Sequence, residues 1–391
     1  MSMNISELLS LLEYKVIWPC KFGFYKLIYK VDDKTVLFAD PYSNDLTDNM
    51  VPIYTALQNR GGFNLVKCFN APITTAPNLV GKIRGRINRG KVYDRFLKEY
   101  AKAGTVFLTE SMLSAYAVKP RQGTHVVQLW HGSGAFKKWG YSTLDKSFGA
   151  SRKSATRFPM HNCYSLVPVS ASEIIPHWAE AFGCNPSIIQ PLGVPRTDEF
   201  FNADLKSHDF KGKKVILYAP TFRGNNVILA HNDDALDIEA LHSALGDDYV
   251  LLLKMHPFVK SSIAIPESCK GFCLDISDMP TNEALKMADI LITDYSSIIF
   301  EYSLLGRPMV FYPYDLESYI GERDFYYPYE SFVPGPIAKT QDSLVSTLLS
   351  LDASAGASRS AAFADTYMSA CDGHSTERIL SALGLIGGNN S

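Results

Sequence analysis

Residues 285–312 restrict the fold of this chain more than any other stretch. Ile290–Thr293 is a short apolar run with β-branched residues at both ends, which indicates a buried strand. Ile298–Leu305 has the apolar content of a helix, and Gly306 is well suited to end it. A second apolar run, Met309–Tyr312, follows at once. The stretch therefore predicts a strand–helix–strand unit of the kind that builds an open α/β sheet.

Polar residues separate the first predicted strand from the helix: Asp294, Ser296 and Ser297. Open α/β sheets bind ligands at the carboxyl ends of their strands. A helix N-terminus with two hydroxyls and free backbone N–H groups is also a natural phosphate site. Serines are common N-caps as well, so these two are compatible with simple capping. The rest of the chain has to decide between the two interpretations.

Strand and helix patterns alternate in two series along the 391 residues. The predicted strands of the first series are 35–40, 63–68, 105–109, 125–130, 164–168 and 187–190. Those of the second are 214–218, 249–254, 271–275, 290–293 and 309–312. Predicted helices include 51–59, 79–104, 171–182 with Ser170 as its cap, 281–288, 341–351 and 361–383. The polar stretch 202–214 reads as a linker, and the residues from Gly387 on as a disordered tail. The alternation predicts two doubly wound Rossmann-like α/β domains, residues 1–205 and 206–391, facing across a cleft.

Composition and the missing motifs exclude several classes of protein. The net charge is −2, so bulk charge predicts no nucleic-acid partner. Seven scattered cysteines without a CxxC pair favour reduced thiols in a cytosolic protein over disulfides or a zinc site. The N-terminus does not resemble a signal peptide, and no run of about 18 apolar residues predicts a membrane span. The absence of GxGxxG, Walker A and GxSxG motifs disfavours dehydrogenases, P-loop NTPases and α/β-hydrolases.

Two segments bear on membrane contact. Residues 5–30 place apolar and aromatic residues at helical spacing, which favours a helix packed on its own domain over one lying on a membrane. Residues 79–104 contain eight lysines and arginines against only Asp94 and Glu99. This basic segment is either a solvated helix face or a surface for anionic lipid headgroups or an anionic polymer. The sequence leaves both interpretations of the basic segment open.

Four loops at predicted strand ends carry polar chemistry. Arg223 offers a fork of donors suited to phosphate, and His256 can balance charge on a bridging phosphate oxygen. With the loop at Ser296 and Ser297 they indicate a ligand that contains a diphosphate. His131 follows a strand of the other predicted domain and is placed to deprotonate an acceptor hydroxyl. The glycines of the His131-Gly-Ser-Gly sequence allow the backbone to approach a ligand closely.

Several segments resemble the CDP-glycerol glycerophosphotransferases that build teichoic acid and related polymers. The segments are QLWHGSGAFKKWG, LGVPRTDEFF, VILYAPTFRG, LLLKMHP and ADILITDYSSIIFEYSLLGRPMVFYPYDLESY. They occur in the family's order and spacing and cover roughly residues 125–340. VLFADPYSNDLTDN near the start resembles the family more faintly.

The resemblance implies a glycosyltransferase-B-like fold and a single catalytic unit. The family transfers glycerol phosphate from CDP-glycerol to a hydroxyl of a lipid-linked or oligosaccharide acceptor and releases CMP, and relatives use CDP-ribitol. It works at the cytoplasmic face of the membrane in teichoic-acid or capsule synthesis. The N-terminal domain is then the acceptor-side, membrane-associated domain, and the C-terminal domain binds the CDP-alditol. We expect no cofactor and no tightly bound metal.

Matching segments also assign residues to roles. His131 is the proposed base, and His256 is its counterpart at the leaving group. Donor-binding residues by this assignment are Thr221, Arg223, Lys254, Asp294, Ser296 and Ser297. Gly132, Ser133 and Lys137 are assigned to the acceptor side. The chain departs from the family at Ser133-Gly134-Ala135, where Thr-Pro-Leu is usual, and at Glu322-Arg323-Asp324-Phe325, where Arg-Gly-Phe is usual.

Two alternatives remain at this point. A bacterial sialyltransferase or polysialyltransferase that uses a CMP-sugar has a similar fold with HP and SS elements. A module that binds polymer or membrane without catalysis belongs to a different class, and the combination of two histidines with two serines speaks against it. The sequence leaves open glycerol versus ribitol, single transfer versus polymerisation, the acceptor and the oligomeric state.

Overall fold

The computed structural model describes residues 5–69, 79–146, 148–201, 210–224, 231, 235–256, 259 and 263–387. Their contacts divide the chain into two compact units. The N-terminal unit contains the described residues up to Ser133, Trp139–Asp198, and those from Ala370 on. The C-terminal unit contains Gly134–Lys138 and the described residues of Glu199–Ser369. Each unit is built on a parallel sheet, which confirms the predicted α/β class.

The chain begins with a continuous helical stretch: α1 (Ile5–Leu12), a π-helical segment (Glu13–Ile17) and α2 (Trp18–Ile28). Its second half packs as predicted through Tyr14, Trp18 and Phe22. Helix α1 buries none of its residues, so the prediction that it packs on its own domain is wrong. Apolar spacing shows that a helix has an apolar face but does not show what covers that face. No helix in the described parts of the chain is long and apolar enough to cross a membrane.

The main sheet of the N-terminal unit has four parallel strands in the order β2-β1-β3-β4. Its elements are β1 (Asp32–Asp40), α3 (Met50–Arg60), β2 (Asn64–Phe69), α4 (Leu79–Tyr100), β3 (Ala103–Leu108), α5 (Leu113–Tyr116) and β4 (His125–Gln128). They are followed by α6 (Arg152–Arg157), β5 (Val167–Pro168), α7 (Ile175–Phe182) and β6 (Ile189–Gln190). Strand β3 is buried along its whole length, as expected for a parallel strand covered on both faces. Because β3 and β4 are neighbouring parallel strands, the loops that follow them leave the sheet side by side.

The C-terminal unit has a five-stranded parallel sheet in the order β11-β10-β7-β8-β9. Its elements are β7 (Lys214–Tyr218), α8 (Ile238–Leu245), β8 (Tyr249–Leu253), β9 (Cys273–Asp275), α9 (Thr281–Met287), β10 (Ile290–Thr293), α10 (Ile298–Ser303) and β11 (Met309–Phe311). The predicted strand–helix–strand unit is confirmed. Strand order reverses between β7 and β10, and ligands of open α/β sheets bind at such a switch point.

Helices α11 (Leu316–Glu322), α12 (Tyr329–Phe332), α13 (Gln341–Leu349) and α14 (Ala353–Tyr367) complete the C-terminal unit. The single helix predicted at 361–383 is instead the end of α14 and a separate helix, α15 (Ser375–Ala382). The Asp198 carboxylate accepts the N–H groups of Ser375 and Thr376 at the start of α15, at 2.9 and 2.8 Å.

The two units differ from the predicted domains at three places. Helix α15 places Ile379 and Leu380 in the core around β1, so the chain end belongs to the N-terminal unit. Residues 134–138 belong to the C-terminal unit, and the change of unit before β7 falls between Asp198 and Glu199. Most of the predicted linker, residues 202–209, and the tail beyond Gly387 lie outside the described residues.

Candidate active site

Asp294 connects the loops that follow β7 and β10, the two strands at the switch point of the C-terminal sheet. Its Oδ1 accepts the backbone N–H of Thr221, at the end of β7, and that of Tyr295, at 2.8 and 2.5 Å. The side chain is almost completely buried. A carboxylate that accepts backbone N–H groups from two loops fixes both of them. Asp294 therefore anchors the two loops, whereas the sequence assignment placed it among the donor-binding residues.

Arg223 is held by two carboxylates and is not exposed to solvent. Its Nε and Nη2 donate to the two oxygens of Asp315 at 2.7 and 2.8 Å, and its Nη1 lies 2.9 Å from Asp294 Oδ2. Three tyrosine rings surround the guanidinium at 5.1–5.2 Å. Burial alone would lower the pKa of Arg223, but the two carboxylates raise it overall. This geometry makes Arg223 a support for the loops, and Asp315 is a site residue that the sequence reasoning missed.

Thr221 carries a buried hydroxyl that has no hydrogen-bond partner among the residues that the structure describes. Its backbone N–H is bound to Asp294, so the side chain is held at the switch point. The neighbouring Thr293 hydroxyl, by contrast, donates to the Ala219 carbonyl at 2.7 Å. Buried polar groups in native proteins are nearly always paired. An unpaired hydroxyl at this position is consistent with a ligand that supplies the partner.

The two serines after β10 do not serve mainly as caps. Ser297 precedes α10, but its side chain makes no capping hydrogen bond. The Ser296 hydroxyl accepts the Ile298 N–H at 3.5 Å, at the limit of a hydrogen bond. Ser297 is exposed and Ser296 is half-buried. Both hydroxyls can therefore reach a ligand at the carboxyl edge of the sheet.

Lys254 and His256 follow β8 on the other side of β7. Lys254 Nζ donates to the Ser277 carbonyl at 2.7 Å, and burial lowers its pKa. His256 packs against the ring of Phe222, with 4.7 Å between centroids. Burial, together with the ammonium groups of Lys137 and Lys254, lowers the pKa of His256 to about 4. The imidazole is therefore neutral at pH 7, and in this state one ring N–H is available to donate a hydrogen bond.

Lys137 lies in the C-terminal unit, not on the acceptor side where the sequence assignment put it. Its segment pairs antiparallel with residues 324–326: Lys138 N–H donates to the Asp324 carbonyl at 2.8 Å, and Tyr326 N–H to the Phe136 carbonyl at 2.9 Å. Burial lowers the pKa of Lys137 to about 8, although the carboxylate of Asp294 opposes the shift. The ammonium group thus faces the same switch point as the donor-binding candidates.

His131 is oriented by a carboxylate that the sequence did not reveal. Its Nδ1 lies 2.7 Å from Glu110 Oε1, and 58% of the His131 side chain is exposed. Glu110 stands two residues after β3, and His131 three residues after the neighbouring strand β4. An imidazole whose Nδ1–H is bound to a carboxylate presents Nε2 as a base. The arrangement fits the role of base that the sequence predicts.

The backbone on both sides of His131 is fixed within the N-terminal unit. Trp130 has a φ of 53°, which is unusual for a bulky residue, and its ring stacks on His131 at 4.4 Å and on Trp139 at 4.9 Å. Arg196 Nη1 donates to the His131 carbonyl at 2.6 Å. Strained backbone of this kind occurs where the surrounding structure holds a functional group in place.

The residues after His131 have structural roles. Ser133 is completely buried: its carbonyl accepts the Ser170 hydroxyl at 2.7 Å, and its hydroxyl accepts Arg196 Nη2 at 3.2 Å. Ser170 is therefore not the helix cap that the sequence predicts, and a 3₁₀ turn precedes α7. A Cβ on Gly134 would lie 2.2 Å from the Phe300 ring, so packing requires this glycine. A Cβ on Gly132 would make only an ordinary contact with Trp130.

Comparisons with known proteins identify close relatives. Residues 22–384 match the family described as CDP-glycerol:poly(glycerophosphate) glycerophosphotransferase. The teichoic acid ribitol-phosphate primase of Bacillus spizizenii is 39% identical over 91% of this chain and 92% of its own length. The teichoic acid glycerol-phosphate primase of Bacillus subtilis is 31% identical over 74% of each chain. The structure of the wall teichoic acid polymerase TagF matches with a TM-score of 0.72 at 22% identity, over 98% of both chains, which shows a shared glycosyltransferase-B-like fold.

Proposed function

Because the chain belongs to the CDP-glycerol:poly(glycerophosphate) glycerophosphotransferase family, we propose that it is a CDP-alditol phosphotransferase of teichoic acid synthesis that uses CDP-ribitol. The ribitol-phosphate primase is 39% identical and the glycerol-phosphate primase 31% identical, which favours ribitol over glycerol. The family match and these relatives give no support to a sialyltransferase. The observation that carries the proposal is the Glu110–His131 pair, because it supplies an oriented base after β4.

In the proposed reaction a hydroxyl of a lipid-linked or oligosaccharide acceptor attacks the phosphorus that bears the alditol. The new O–P bond forms as the bond to the CMP oxygen breaks. His131 Nε2 takes the hydroxyl proton, and the Glu110 carboxylate stabilises the imidazolium that results. CMP leaves with the electron pair of the broken bond.

The C-terminal unit would hold the donor diphosphate. Thr221, Ser296 and Ser297 offer hydroxyls, and His256 offers a neutral N–H. Lys137 supplies the positive charge, since Arg223 is already neutralised by Asp294 and Asp315. An anionic diphosphate raises the pKa of both His256 and Lys137 on binding, which strengthens their hold on the leaving CMP. This assignment moves Lys137 from the acceptor side to the donor side.

The proposal is tested by CMP release from CDP-ribitol, CDP-glycerol and CMP-sialic acid, with product mass measured on a lipid-linked acceptor. We expect turnover with CDP-ribitol to exceed that with CDP-glycerol. Release of CMP from CMP-sialic acid alone would overturn the proposal, and a preference for CDP-glycerol would overturn only the choice of alditol.

Variants of the base pair test the mechanism. His131→Gln should abolish acceptor-dependent CMP release, whereas His125→Gln, an exposed histidine at the other end of β4, should not change it. Glu110→Gln should lower kcat by about 10- to 100-fold, because the imidazole loses the carboxylate that orients it. Unchanged kcat in His131→Gln would refute the assignment of the base.

We also propose that the protein meets the cytoplasmic face of a membrane through its N-terminal helices. Helices α1 and α2 expose apolar side chains, with Leu8 54%, Leu12 45% and Leu27 88% exposed. The basic helix α4 packs beside α2, so basic and apolar groups lie close together. Apolar side chains combined with lysine and arginine are typical of helices that lie in a membrane interface.

Vesicle flotation tests this contact. The double variant Leu8→Glu with Leu12→Glu should lose binding to anionic vesicles. Leu349→Glu is the matched control, because Leu349 is 63% exposed but lies in the C-terminal unit. Equal binding by both variants would show that α1 does not contact the membrane.

A further inference from the structure

We propose that a cavity in the N-terminal unit binds the phosphate of a membrane lipid headgroup. The cavity has a volume of about 150 Å³ and lies among α1, the π-helical segment and α4. Trp18, Arg86, Arg89 and Tyr93 contribute to its walls, together with Glu13. None of these residues belongs to the candidate active site.

The charge of the lining favours an anion. Arg86 is paired with Glu13, with 3.1 Å between Nε and Oε1 and 3.0 Å between Nη2 and Oε2. Arg89 lines the same cavity, and no carboxylate of the described residues pairs with it. The lining therefore holds two guanidinium groups and a single carboxylate. A phosphate can take Arg89 as its own partner and share Arg86 with Glu13, in the geometry that guanidinium and phosphate prefer.

The cavity borders the exposed apolar face of the N-terminal helices. Ser10 and Glu13 line it from one side of the helical stretch, while Leu9, Leu12 and Val16 are exposed on the adjacent side. The change from α-helix to π-helix occurs at Glu13, and such π segments are frequent at functional sites. A group bound here would lie next to the surface that we propose to contact the membrane.

The size and walls of the cavity restrict the ligand. Water occupies about 30 Å³ per molecule in the liquid, so 150 Å³ accommodates a phosphate group but not acyl chains. The Trp18 and Tyr93 rings meet edge to face at 5.1 Å and form an apolar wall with polar edges. Trp and Tyr are enriched where a lipid headgroup meets the apolar layer. The size of the cavity and its aromatic wall therefore favour the headgroup phosphate of a lipid. The acyl chains of that lipid would extend along the apolar helix face.

This inference rests only on the membrane contact under the proposed function and not on the transfer reaction. It is tested with the full chain and three single variants in flotation with phosphatidylcholine vesicles, with and without phosphatidic acid. Arg89→Gln should weaken binding to phosphatidic acid vesicles by about tenfold, as expected for loss of a hydrogen bond to a charged group. Arg84→Gln, an exposed change of the same charge on the same helix, should weaken it much less. Glu13→Gln removes the competing carboxylate and should strengthen binding.

The outcomes separate the possible failures. Equal loss in Arg89→Gln and Arg84→Gln, or no gain in Glu13→Gln, would overturn the cavity site. If inorganic phosphate binds the wild type but not Arg89→Gln in isothermal titration, and Arg89→Gln still binds phosphatidic acid vesicles as the wild type does, the cavity is assigned to free phosphate and the lipid assignment is overturned. CMP release with a water-soluble acceptor is measured in parallel and should be unchanged in Arg89→Gln. If the wild type itself releases no CMP, the proposed reaction is refuted but the cavity site is not. Thermal unfolding of each variant shows that the fold is retained.

Discussion

Replacing Thr221 with valine should affect stability and donor binding in opposite directions. The Thr221 hydroxyl is buried and has no partner in the described part of the chain, and an unsatisfied buried polar group costs about 1–3 kcal/mol. Valine has nearly the same shape and carries no such group, so the empty protein should become more stable by about 1 kcal/mol or more. A hydrogen bond to a charged group contributes about 1.5–3 kcal/mol. If the hydroxyl binds the donor diphosphate, its loss should weaken CDP-alditol binding by roughly 10- to 150-fold.

Thr293→Val is the matched control. Thr293 is also completely buried next to Asp294, but its hydroxyl already donates to the Ala219 carbonyl at 2.7 Å. Its replacement should lower the free energy of unfolding by about 1–3 kcal/mol and leave donor affinity nearly unchanged. Urea unfolding and isothermal titration of CDP-ribitol measure the two quantities for each variant. If Thr221→Val is less stable than the wild type, or if it binds the donor equally well, the assignment of this hydroxyl to the ligand is wrong.

Substitutions at three further residues test the charged and buried groups. Asp294→Asn should destabilise the protein by about 3–5 kcal/mol in urea unfolding, because it leaves Arg223 as a buried charge that only Asp315 neutralises; a loss below about 1 kcal/mol would contradict this. Lys137→Met should raise the donor KM or lower kcat in the CMP-release assay, whereas Lys137→Arg retains most activity. Burial lowers the pKa of His161 to about 3, while the unfolded value stays near 6.5. The unfolded state therefore binds one more proton at this residue between these values, and His161 alone should lower stability by about 2 kcal/mol from pH 7 to pH 5. His256, with a pKa of about 4, should add a similar loss by the same argument. His161→Asn, which tolerates the φ of 61° at this position, should therefore remove about half of the combined pH dependence.

Much of the fold follows from local sequence patterns. Strands β7 and β10 begin and end where the apolar runs predict, because a parallel strand buried on both faces must be short and almost wholly apolar. The polar residues at the strand ends are also recognisable, since the carboxyl ends of parallel strands share one edge of the sheet. These two facts were sufficient to group Asp294 and Ser296 with Arg223 and His256 in one predicted site, whereas Thr221 was assigned only through the family resemblance.

The carboxylates that organise the site were not predictable in this way. Glu110 and Asp315 are single acidic residues after strands, and nothing in their spacing separates them from solvated loop residues. Glu110 becomes the partner of His131 only because β3 lies beside β4. Strand order is a property of the whole sheet and is not contained in any local pattern. The same limit explains why α15 was assigned to the wrong core.

The two departures from the family pattern are connected in the structure. Gly134 stands where the family usually has proline, and the Phe300 ring occupies the space that a Cβ would need. The residues that follow, Phe136–Lys138, pair with residues 324–326, which begin within the second departure. A change in either segment therefore disturbs the backbone hydrogen bonds that hold the other, and with them the position of Lys137. Under the proposed assignment of Lys137 to the donor diphosphate, the two departures act on the same group, because both segments support the backbone that carries Lys137.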